Sequence, residues 1–216
     1  MNKLIDSKFA SIGVAFYNEV DPTVSPEDAI ISFLLSDDFP KNKRLMGLLL
    51  VWLKEFSKYV QVEYLKHEMT QLNYTQIATL GAIATKCVEF KDFRWRNLEA
   101  TCRKKIKNVN SSLYVDDDEI SLQYRGVDKV FEKFKIIIPN RKEESEKKLR
   151  SRDWVLSKNI WIKNRLLFGV NPRADIATVL ELKSCRTAYA AAKILNISKP
   201  TAYRNWDDLK MAGWAS

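Results

Sequence analysis

Between Leu45 and Phe56 the chain sets Leu45, Leu48, Leu49, Trp52, Leu53 and Phe56 at i, i+3, i+4, i+7, i+8 and i+11. That spacing closes on one face of a 3.6-residue repeat and does not suit a strand, whose side chains alternate with a period of two. Lys54, Glu55 and Lys58 fall off the stripe. The segment reads as the central buried helix of an N-terminal domain, and a helix of this kind buries its stripe against other helices. Composition agrees: six Gly and six Pro in 216 residues are few turn formers for an all-β fold. The expected fold class is mainly α, in one or two domains.

Neighbouring segments carry helix signals of their own. Ser25 reads as an N-cap, with Pro26 at the first helical position and Glu27 and Asp28 in the first turn, opening a helix to about Leu35. Gln61–Leu72 and Thr75–Phe90 read as two more helices, the second capped by Thr75. Residues 91–107 read as a basic helix with Phe93, Leu98 and Cys102 facing inward. Its Arg94, Arg96, Arg103, Lys104, Lys105 and Lys107 form either a solvated face or an auxiliary phosphate-binding face. The acidic run Asp116–Glu119 lacks the spacing and central Gly of a calcium loop and reads as a surface loop. A short helix, then an extended piece stopped by Pro139, lead to a charged stretch. The expected division is a helical domain of underived role over 1–140, a charged linker over 141–150, and a third segment over 151–216.

Several function classes are expected to be absent. His67 is the only histidine. Without a partner, zinc ligation or Ser-His catalysis is not expected. Cys87, Cys102 and Cys185 are odd in number and lack CxxC spacing, so they read as reduced thiols. No Gly-rich phosphate loop appears. The chain is therefore not expected to be an enzyme, nor to hold a cofactor or metal. The longest apolar run, Leu45–Leu53, falls well short of the ~20 residues that span a bilayer. Phe9–Tyr17 is apolar but lacks the small-residue cleavage site of a signal peptide. No membrane association is expected, and the expected location is the cytoplasm.

The charge is uneven. The whole chain carries +9; residues 1–140 account for +1 and residues 141–216 for +8. A basic region of this kind suits a polyanionic partner. It also holds a distinctive pattern. Thr187 can cap a helix in which Ala188, Ala191, Ala192 and Leu195 form a small-residue face. Asn196 then stands at a turn where a left-handed backbone is often required. Ile197 plugs the corner. Ser198 caps the next helix, with Pro200 in its first turn and Ala202, Trp206 and Leu209 as its buried stripe.

The stretch AAKILNISKPTAYRNWDDLKMAGW (191–214) resembles the helix-turn-helix of bacterial winged-helix transcription regulators. The likeness lies in an Ala early in the first helix, Leu-Asn-Ile-Ser at the turn, then Thr-Ala-Tyr-Arg, and an Ala-Gly-aromatic ending. It extends back through RADIATVLEL, which looks like their first helix, and covers about residues 172–214. Asn196 stands where Gly is commoner. A winged helix would continue into a β-hairpin, whereas this sequence ends at Ser216, so the expected wing is short or missing.

The resemblance implies a C-terminal helix-turn-helix over 151–216 whose second helix enters the major groove of double-stranded DNA. The contacting residues it implies are Ser198, Lys199, Thr201, Tyr203 and Arg204, with Arg186 and Lys193 reaching the backbone from the supporting helix. Arg204 suits a bidentate contact to guanine. Asp207 and Asp208, in the next turn, restrict insertion to the leading half. The implied role is a bacterial transcription regulator, acting as a homodimer on paired half-sites. The alternative is a protein-interaction component of a toxin–antitoxin or phage-defence system, with a protein partner and DNA binding secondary or absent.

Overall fold

A computed structural model describes residues 3–16, 18–36, 39–140 and 146–214. These residues are mainly helical. In chain order they form α1 (Lys3–Ser11), α2 (Pro26–Leu34), α3 (Lys43–Phe56), α4 (Val62–Glu68), α5 (Tyr74–Glu89), α6 (Arg96–Lys105), β1 (Tyr114–Val115), α7 (Glu119–Arg125), α8 (Lys129–Glu132), β2 (Ile136–Ile137), α9 (Arg152–Lys158), α10 (Ile160–Phe168), α11 (Pro172–Glu181), α12 (Ala188–Ile194) and α13 (Lys199–Met211). The two short strands pair in parallel, Tyr114 against Ile136 and Val115 against Ile137. Among the described residues no helix is long and apolar enough to cross a membrane.

Two compact units are each assembled from separated stretches. The first comprises 1–5, 30–58 and 62–149; the second comprises 6–29, 59–61 and 150–216. The sequence division at 141–150 differs from this partition, because segments from the first third of the chain belong with the C-terminal stretch. Residues 141–145 of the expected linker lie outside the described residues, and Glu146–Lys148 form a 3₁₀ turn.

In the first unit, α3 buries the whole expected stripe, and Lys54 and Glu55 are exposed. Helix α5 is capped by Asn73 and not by Thr75. The Asn73 side chain accepts from the Gln76 amide while the Gln76 side chain accepts from the Asn73 amide, a reciprocal box that satisfies two otherwise orphan donors. The Thr75 hydroxyl donates instead to the Leu113 carbonyl. Helix α5 packs on α6. Gly81 permits this approach, since a Cβ there would fall on the Phe134 ring and within 2.8 Å of Cys102 Cβ.

Leu98 and Cys102 of α6 are buried as their spacing predicts, but Phe93 is 52% exposed. It belongs to a 3₁₀ turn, Phe93–Trp95, in which Trp95 takes the inward position. The acidic run divides by role. Asp116 is buried and held by the Lys43 ammonium at 2.7 Å, while Asp118 caps α7 and meets the same lysine at 3.2 Å.

In the second unit, Arg165 is buried between two carboxylates. Its Nη1 donates to both Glu27 oxygens at 2.9 and 3.0 Å and to the Tyr59 carbonyl, and its Nε donates to Asp175 at 2.9 Å. The Gln61 amide donates to Glu27 as well. Asn159 caps α10 and donates to the Ser11 and Val24 carbonyls. These bonds fasten 6–29 and 59–61 to α10 and α11. They also set the rotation of α10. Ile162, Asn164 and Arg165 face inward, whereas Leu167 is 59% exposed. A charged residue satisfied by two buried acids displaces the apolar one.

Candidate nucleic-acid interface

Helices α11, α12 and α13 form one packed group. Each start has a side-chain cap. Asn171 accepts from the Arg173 and Ala174 amides, with Pro172 at the first turn; Thr187 accepts from Ala190; Ser198 accepts from Thr201. Their shared core holds Ile176, Val179, Leu180, Ala188, Ala191, Ala192, Ala202, Trp206 and Leu209, with Leu195, Ile197 and Trp214 partly buried against it. Burial of each large side chain here contributes about 1.5–3 kcal/mol. The alanines on α12 let α13 come close.

The turn between α12 and α13 runs through Asn196 with φ of +50°, the left-handed conformation that Asn adopts more readily than most L-residues. The Ile197 amide bonds back to the Ala192 carbonyl. Trp214 closes the far end, donating to the Ala177 carbonyl at 3.2 Å and meeting Phe168 edge-on at 5.1 Å. Trp206 and Trp214 are therefore packing residues.

The sequence-predicted contact residues divide into groups. Ser198 and Thr201 are engaged with each other: their hydroxyls lie 2.7 Å apart, and Thr201 is half-buried. Their hydrogen bonds serve the cap. Tyr203 and Arg204 are exposed on the first half of α13. Arg186 is exposed just ahead of the α12 cap. Lys193 and Lys199 come together across the turn, their ammonium groups 4.8 and 4.9 Å from the centroid of the Tyr189 ring. The hydrogen bond from Lys193, reinforced by both positive charges, holds the Tyr189 phenol below its ordinary pKa.

No family model, curated protein or solved structure matches this chain.

Tyr189 is the contact candidate that sequence reading passed over. Its i, i+4 spacing to Lys193 was legible; its approach to Lys199 depends on how α12 and α13 fold together. A second missed feature is Arg173, which donates to Asp208 at 2.5 Å and to Asn205 at 3.2 Å. Asp208 is thus charge-paired, leaving Asp207 as the exposed acid of that turn. Between Leu182 and Trp206 the sequence holds Lys183, Arg186, Lys193, Lys199 and Arg204 and no acid. Among the described residues, none of Arg186, Lys193, Lys199 and Arg204 forms an ion pair.

Proposed function

We propose that residues 172–214 are a helix-turn-helix that binds double-stranded DNA, and that the protein acts as a bacterial transcription regulator. In this reading α13 enters the major groove by its leading half and α12 braces it against the backbone. One observation carries the reading: among the described residues Arg186, Lys193, Lys199 and Arg204 have no carboxylate partner, and Lys193 and Lys199 meet over Tyr189 where α12 passes into α13. Each surface ammonium left without a counter-charge is available to displace condensed counterions from a phosphate backbone. Arg204 and Tyr203 stand where base edges would be met, with Arg204 matching the acceptor pair of guanine. Lys193, Lys199 and Arg186 serve phosphates. Asp207 limits the depth of insertion.

The test is a duplex-binding titration by fluorescence anisotropy across a salt series. Three or four phosphate contacts predict a log–log slope of roughly −3 to −4. Lys199→Ala is expected to weaken binding to all sequences alike and to make the slope shallower by about one. Arg204→Ala is expected to cost about 1–3 kcal/mol on a selected site and little on random duplex. Absence of duplex binding at micromolar protein in low salt overturns the reading.

A further inference from the structure

Helix α6 presents a charged face that the function proposed above leaves unused. Within α6, Arg96, Ala100 and the adjacent pair Arg103 and Lys104 recur at three- to four-residue intervals, which aligns them in a strip on one face; Phe93 precedes the helix in a 3₁₀ turn and Lys107 follows its end. The Arg96 guanidinium stands 4.4 Å from the centroid of the exposed Phe93 ring. Arg103 lies 4.8 Å from the Phe134 ring centroid and is held at 2.8 Å by Glu99. Glu99, Ala100, Arg103, Lys104 and Lys107 line a shallow trough of about 480 Å³. Among the described residues, Arg96, Lys104 and Lys107 form no ion pair.

We propose that this strip is a second nucleic-acid-binding surface, taking the sugar–phosphate backbone of a single strand along α6 with a base against Phe93. Three arguments converge. At about 1.5 Å per residue, Arg96 and Lys104 are about 12 Å apart, which spans several charges of a strand rather than one phosphate group. An aromatic ring next to cations offers a base a stacking platform as well as charge, and stacking of this kind tolerates any base. A duplex keeps its bases inside, so a half-exposed Phe favours an unpaired strand. The strip lies in the first compact unit and does not rest on the reading of α13.

The test uses the full chain and a fluorescein-labelled single-stranded oligonucleotide of about twenty nucleotides. Wild type is expected to bind, and R96Q/K104Q/K107Q to bind about tenfold more weakly or worse. The salt slope of that variant is expected to be shallower by about two, at roughly 0.7 per contact on single strands. Phe93→Ala is expected to weaken single-strand binding and leave duplex binding unchanged. The pair K199A/R204A is expected to retain single-strand binding, which separates this surface from α13. Thermal midpoints report folding, and K104E/K107E supplies a second variant should the triple change fail to fold. The proposal is overturned if wild type does not bind the strand, or if the folded variants bind it with unchanged affinity and slope. It is also overturned if their loss appears only on duplex or only on phosphatidylserine vesicles.

Discussion

At the scale of single residues, the buried Arg165 is the most consequential side chain of the second unit. Removing one partner of a buried ion network leaves the others charged and unsolvated, a loss of about 3–5 kcal/mol. Arg165→Met is therefore expected to lower the unfolding free energy measured by urea titration by that amount, and Arg165→Met with Glu27→Gln to recover part of it. Burial works against the charge on the guanidinium, but Glu27 and Asp175 together outweigh it and push the Arg165 pKa up; burial pushes Glu27 upward against the pull of Arg165. The three thiols differ for the same reason. Burial raises Cys102 to about 12 and Cys87 well above the ordinary value, while Cys185 is partly accessible. Native protein is expected to expose one thiol to Ellman's reagent, lost in Cys185→Ser, with the other two reacting only after denaturation. Asp118 shows the pH consequence. Its bonds to the Ser121 amide and hydroxyl, then to Lys43, hold it at about 2 in the folded chain, against about 3.9 unfolded. A depressed carboxyl stabilises fully above the unfolded value and loses that contribution as pH falls through the folded one. Thermal stability should decline between about pH 4 and pH 2, and Asp118→Asn should flatten that decline.

At the scale of elements, the caps and close approaches set where helices begin and how near they lie. Ser198→Ala removes the acceptor for the first turn of α13 and is expected to cost about 0.5–2 kcal/mol. Asn196→Val places a β-branched residue at positive φ and is expected to cost about 1–2 kcal/mol, whereas Asn196→Gly should be tolerated. Gly81→Ala forces a methyl into the Phe134 ring, and overpacking of this kind costs about 1–3 kcal/mol. Denaturant midpoints check all three. Such signals are local, which is why the sequence alone marks Thr187 and Ser198 as caps. Thr75 does not cap α5 because Asn73, two residues earlier, offers its own acceptor and a Gln three residues on to reciprocate.

At the scale of the whole molecule, the compact unit that holds 172–214 is discontinuous. Glu27 and the Tyr59, Ser11 and Val24 carbonyls satisfy polar groups of α10 and its cap. A fragment of residues 150–216 would leave Arg165 without Glu27 and the Tyr59 carbonyl. It is expected to show weak, non-cooperative thermal unfolding by circular dichroism, with the full chain giving a sharp transition. A fragment that unfolds as sharply as the full chain would remove the structural role assigned to these bonds.

The sequence by itself determined the helical class, the buried stripe of α3, the starts of α2, α12 and α13, and the Ala202, Trp206 and Leu209 stripe, because each follows from spacing or capping signals within one helix. Tertiary structure decided the rest. It turned α10 so that a buried arginine replaced an exposed leucine, moved Phe93 outward in favour of Trp95, and joined early segments to the C-terminal stretch. It also closed Asp208 with Arg173 and brought Lys199 over Tyr189. All these depend on partners distant in sequence, or on which of two neighbouring side chains packs better, and periodicity carries no record of either. Charge gives the reason most clearly: a sequence counts its cations, but only the fold pairs Arg165 and Arg173 with acids and, among the described residues, leaves Lys193, Lys199 and Arg204 without them.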